Sequence, residues 1–157
     1  MREIGFRAWN HSIRELKEVL SINFTGKYCV VDRAEKIDLW YYKNEEIKLM
    51  QFTSTFDDDG TGIYEGDIIF SENEDGFCLF LVKFGENEKL PETVFTSFYL
   101  KHLKCFEFLY EEEASSENDE TTTEFVNKYN PDHKSFVIIG NKYENPELLG
   151  DDNKWQI

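Results

Sequence analysis

The chain has 157 residues, with 32 acidic and 17 basic side chains and a formal net charge of −15. Its 40% hydrophobic and 16% aromatic content is enough to build a core, and the length suits a single domain spanning 1–157. With 3 Pro, 9 Gly, 3 Cys and no apolar run near the roughly 18 residues of a membrane span, collagen-like, disulfide-scaffold and membrane-spanning classes are excluded.

The opening residues alternate, with Ile4, Phe6 and Ala8 set against Glu3, Gly5 and Arg7; they lack the apolar stretch of a secretory signal, so a cytoplasmic location is expected. Ser12-Ile13-Arg14-Glu15 then fits a capping box, and Ile13, Leu16, Val19 and Leu20 recur at helical spacing. A short helix over 13–20 is the expectation, with a hairpin arm as the alternative. From residue 27 the pattern turns to strands: Tyr28 to Val31, Asp38 to Tyr42 and Lys48 to Thr53 are rich in β-branched and aromatic side chains between charged turns. Asp59-Gly60 and Gly62 supply a tight connection, and Ile63 to Phe70 resumes a strand interrupted at Gly66. Phe77 to Phe84 is almost wholly apolar, the pattern of a strand buried on both faces.

Residues 91–103 fit a helix or a strand about equally, and Cys105 to Tyr110 reads as a strand. The stretch 111–124 holds too few apolar atoms to offset its ordering entropy and is expected to be a mobile acidic loop. Phe136 to Ile139 is a last core strand. Asn145-Pro146 with Gly150 marks one helical turn, Asn as cap, Pro at the first position and Gly as stop. The fold class is therefore mainly β with one or two short helices.

The charge is local. Residues 56–76 hold eight carboxylates without a Lys or Arg, as do residues 107–124; outside them 16 acidic residues face 17 basic ones. Such fields repel phosphate backbones and anionic lipid, so neither direct nucleic-acid binding nor membrane binding is expected. Asp57, Asp58, Asp59, Glu111, Glu112 and Glu113 are the candidate acidic surface for a protein partner.

Motifs for chemistry are sparse. Aligning Asp57 to Gly62 with a calcium-binding loop fails in both registers, because Gly66 or Ile68 falls where the bidentate glutamate belongs. A solvated acidic turn is expected, with no metal and no cofactor. His11, His102 and His133 are isolated, and neither a zinc-protease nor a nucleophile-elbow motif occurs. Glu65 and Asp67 are the only carboxylates in an apolar strand context; capping or salt-bridge roles suit them, and no catalytic residue is assigned. Cys29, Cys78 and Cys105 are far apart, odd in number and next to apolar runs, so buried reduced thiols are expected. The aromatics Trp9, Trp40, Tyr41, Tyr42, Phe95, Phe98 and Tyr99 lack the basic groove of a base-stacking platform, and core or subunit packing suits them better.

Three segments resemble the YopX-type proteins of phages and prophages: Arg2 to Trp9, then Leu49 to Thr53 with Asp59-Gly60 and Ile63-Tyr64-Glu65-Gly66-Asp67-Ile68-Ile69, then Ile138 to Leu149. The resemblance implies a partly open β-barrel or multi-sheet fold and a homo-oligomer, and it carries no activity. Trp9, Tyr64, Glu65, Gly66, Asp67, Asn145 and Pro146 are its structural residues. Where the family pattern has a basic residue, this chain has Gly5; where it has glycine, Ser54; where it has lysines, Asp57 to Asp59. Two functions follow as expectations. The first is a non-catalytic accessory module that binds protein, itself included; the second is an acidic DNA-mimic inhibitor of a host nucleic-acid-binding defence protein.

Overall fold

The computed structural model describes residues 3–32, 36–42, 46–73, 76–85, 97–107 and 125–150. They form ten strands: β1 (Phe6–Asn10), β2 (Glu15–Asn23), β3 (Tyr28–Asp32), β4 (Ile37–Tyr41), β5 (Ile47–Phe56), β6 (Gly62–Tyr64), β7 (Asp67–Asn73), β8 (Gly76–Gly85), β9 (Ser97–Glu107) and β10 (Phe136–Asn141). A helical turn spans 125–129, and a 3-10 turn covers Pro146–Leu149. The protein is mainly β, with two open antiparallel sheets ordered β4-β3-β2-β1-β5-β6 and β10-β7-β8-β9.

The chain divides into two compact units, one of residues Met1–Thr55 and Gly62–Glu65, the other of Phe56–Thr61 and Gly66–Ile157. In the first, Ala8, Cys29, Val31, Trp40 and Ile47 form the core, two of them from β3 and one each from β1, β4 and β5. Period-two alternation delivers them: Cys29 and Val31 point inward, opposite Trp40 and Asp38 of β4, while Tyr28 and Val30 point outward. In the second unit Phe70, Phe77, Leu79, Val126 and Val137 form one cluster, and Ile68, Leu81, Leu148 and Leu149 another. Phe125 of the helical turn stacks on Phe77 at 5.4 Å between ring centroids, so this turn closes over β8.

The helix expected over 13–20 is a strand. Residues 11–14 form a turn in which Asn10 Oδ1 accepts a hydrogen bond from Ser12 N at 3.0 Å and Arg14 takes a φ of 54°, so Ser12 caps nothing. β2 then runs back along β1, Trp9 opposite Leu16 and Asn10 opposite Glu15, and pairs with β3 on its other side. Two partner strands outweigh a helical spacing only eight residues long. β8 also departs from its expected two-sided burial: Phe77, Leu79 and Leu81 are buried, whereas Cys78 and Phe80 between them are half-buried. Residues 97–107 are a strand, which settles that part of the ambiguous stretch; 91–96 and the acidic tract 111–124 lie outside the described residues.

Candidate functional site

Of the acidic triplet at 57–59, Asp57 is turned into the fold, while Asp58 and Asp59 are exposed. Asp57 is buried, and its Oδ1 accepts hydrogen bonds from Asp59 N at 3.0 Å and Thr61 N at 2.8 Å. Its Oδ2 accepts from Ile138 N at 3.2 Å, so one carboxylate shapes the turn and ties it to β10. Asp58 accepts from Phe136 N at 2.8 Å, and Asp59 pairs with Lys134. The turn works as an Asx motif anchored to β10 through Asp57, with 58–61 facing water. Glu111, Glu112 and Glu113 lie outside the described residues.

The other singled-out residues hold backbone geometry. Trp9 is buried on β1, edge-on to His11 at 6.1 Å. Burial and the nearby Lys48 charge lower the pKa of His11 from its ordinary value. Tyr64 receives the Arg7 guanidinium over its ring at 4.2 Å and packs on Phe52 at 5.2 Å. Glu65 and Gly66 form the turn between β6 and β7, Gly66 at a φ of 87°, which puts a bend where the sequence breaks its apolar run. Glu65 and Asp67 therefore do not share a strand face: Glu65 is in the turn and ends the first unit, whereas Asp67 opens β7, fully buried opposite Asn141.

Asn145 precedes the 3-10 turn, with Pro146 at its start, but makes no side-chain cap. Its Oδ1 instead accepts from Asn141 N at 3.3 Å, while Asn145 N donates to Asn141 O at 2.9 Å. The carboxamide lies where a side chain on Gly140 would project: a Cβ there would sit 2.7 Å from Asn145 Cγ.

What the sequence did not single out is an exposed apolar stripe. On β4, Ile37, Leu39 and Tyr41 alternate outward with relative exposures of 67%, 49% and 53%. Leu39 lies opposite Val30 and Tyr41 opposite Tyr28, whose ring is 5.6 Å from that of Tyr41, so the stripe continues onto the outer face of β3. β4 ends its sheet among the described residues and presents a free ladder there. The aromatic strand was visible in the sequence; its outward face depends on which neighbours it pairs with.

The three thiols also behave differently from the sequence expectation. Cys29 is a free buried thiol, its pKa pushed up to about 11 by burial. Cys78 and Cys105, expected reduced and buried, form a disulfide between β8 and β9, with Cys78 half-buried and Cys105 exposed. They are directly opposed in the ladder with Cα atoms 4.0 Å apart, so two residues 27 apart in sequence meet with no local spacing to announce it. His102 Nε2 stands 3.1 Å from the Cys105 sulfur.

Two open antiparallel sheets, a turn locked by an Asx motif and an exposed edge strand define a two-sheet β protein. The chain belongs to the YopX family: the family model described as YopX protein matches residues 5–150, nearly its whole length. Its fold is similar to the crystal structure of protein EF1440 from Enterococcus faecalis at a TM-score of 0.50 and 18% sequence identity, covering 96% of this chain and 100% of that one. No curated protein matches. Among the described residues no helix is long and apolar enough to cross a membrane.

Proposed function

We propose that the chain is a non-catalytic accessory module, of the phage and prophage type its sequence resembles, that works by binding protein through the β4 edge, with a second copy of itself as the occupant. The observation that carries this reading is the run Ile37, Leu39 and Tyr41, large apolar side chains left exposed along a strand with an open ladder. Native sheets usually blunt such an edge with charge or proline, and β4 has neither on that face. Self-pairing suits its pattern. An antiparallel two-fold centred on Leu39 sets Ile37 against Tyr41 and keeps Asp38 from facing Asp38. It would extend the six-stranded sheet across the axis by the same backbone pairing that joins β3 to β4.

The acidic-inhibitor reading has less support, because Asp57 to Asp59 direct their oxygens to Thr61, Phe136, Ile138 and Lys134. Light scattering on the eluting full chain tests the proposal. The wild type is expected at twice its 18.6 kDa, and the double variant Leu39→Lys/Tyr41→Lys at the monomer mass with unchanged circular dichroism. A wild-type monomer at the highest soluble concentration would overturn self-association, and equal masses for both proteins would remove β4 from it.

A further inference from the structure

The β8–β9 ladder gathers three donor atoms onto one face. Cys78 lies opposite Cys105, and Phe80, two residues on, lies opposite His102. Residues 102 and 105 are an odd number apart, which in a regular strand sends them to opposite faces. The pairing steps from Leu79↔Lys104 to Phe80↔His102, leaving Leu103 as an extra residue in β9. That bulge turns His102 onto the face of Cys105, while Leu103 packs on the core clusters of the second unit. The Phe80 ring meets the imidazole edge-on at 5.7 Å and fixes its plane. The sulfur atoms and a ring nitrogen of Cys78, His102 and Cys105 then all fall within 4.8 Å of one another.

We propose that Cys78, His102 and Cys105 are a metal site for a thiophilic divalent cation, Zn2+ fitting best, and that the disulfide is its metal-free state. Two thiolates and one imidazole make a Cys2His donor set, with the fourth tetrahedral position left to water. Around zinc, bonds of about 2.3 Å to sulfur and 2.0 Å to nitrogen place ligand atoms roughly 3.5–3.8 Å apart. The His102–Cys105 approach of 3.1 Å is already close to that, so opening the sulfur–sulfur bond supplies most of the room required.

The steps balance. Two equivalents of a small monothiol deliver two electrons and two protons to the disulfide, leaving two cysteine thiols and one oxidised thiol dimer. Zn2+ then replaces the two thiol protons, which pass to water. The same sulfur electrons cannot serve both bonds, so metal and disulfide exclude each other. The site goes beyond the β4 proposal and does not depend on it.

The test uses the full chain, reduced with a phosphine that is then removed under anaerobic conditions, and Co2+ as the probe. One Co2+ per chain is expected, with a near-ultraviolet thiolate-to-cobalt charge-transfer band that is absent before reduction and abolished by stoichiometric Zn2+. Carboxylate binding cannot produce that band. Cys105→Ser should remove it, and Cys29→Ser should leave it unchanged. His102→Ala should weaken binding roughly 10-fold or more, since even outer-shell partners of metal ligands are worth that much. Should a variant fail to fold, alkylation of the reduced wild type decides, with Zn2+ expected to protect Cys78 and Cys105 and not Cys29. A reduced chain without the band, binding unchanged in His102→Ala, or alkylation indifferent to Zn2+ would overturn the site.

Discussion

Ser54 holds a φ of 68° in the middle of β5, a left-handed conformation that L side chains occupy at a cost of roughly 1–2 kcal/mol. The glycine that the family pattern has at this position is what that backbone prefers. Ser54 offsets part of the cost by donating from Oγ to Glu3 O at 2.9 Å, an exposed bond worth about 0.5 kcal/mol. Stability by urea unfolding should therefore rank Ser54→Gly at or above the wild type. Ser54→Ala should fall below it by about 0.5–1 kcal/mol, having lost the hydrogen bond and kept the strain. Valine in place of Ser54 should be lowest, its branched Cβ tolerating positive φ least. Gly140 is constrained by space as well as by its φ of 156°. Gly140→Ala drives a methyl into the Asn145 carboxamide and should cost about 2–3 kcal/mol, while Asn145→Ala should cost about 1 kcal/mol through its lost bond to Asn141 N. The double variant should cost less than their sum, because truncating Asn145 removes the obstacle; strict additivity in the cycle would refute the contact.

Among elements, those with a strong period and few rivals were legible: β3, β4, β5, β8 and β10 lie close to where β-branched and aromatic runs place them. The break at Gly66 and the turn at Pro146 were legible too, since glycine and proline act through their own backbones. β2 was not, because Ile13, Leu16, Val19 and Leu20 satisfy a helix on paper; Ile13 falls in the turn, and pairing on both sides makes the other three part of a strand. The turn at 125–129 escaped notice because Phe125, Val126 and Tyr129 become meaningful only against Phe77 and its neighbours. The candidate surface was half-legible: composition marks β4 as aromatic, but its exposed face is a property of the sheet. If β4 pairs with itself about Leu39, a Leu39→Cys chain should form an interchain disulfide under mild oxidation. Ile37→Cys, set opposite Tyr41, should cross-link far less, and non-reducing gels distinguish the two. Equal cross-linking by both would rule out that register.

For the whole molecule, charge sets the conditions for association. Two copies carrying −15 each repel at low ionic strength, whereas burial of β4's apolar face is insensitive to dilute salt. Raising salt from low to physiological strength should therefore increase the dimer fraction, and so should lowering pH toward the sequence pI of about 4.5. Binding to a basic partner as a nucleic-acid mimic would respond to salt in the opposite direction, so sedimentation at two ionic strengths separates the two functions. The interleaving of the units also bears on the gene. Phe56–Thr61 belongs to the second unit and Gly62–Glu65 to the first, so the polypeptide changes unit three times within about ten residues. No single cut yields either half whole. A lone recombination breakpoint in this stretch would strand β6 or the Asp57 turn with the wrong partner, so exchange between relatives should spare the region 56–66 and the two halves should descend as one heritable block.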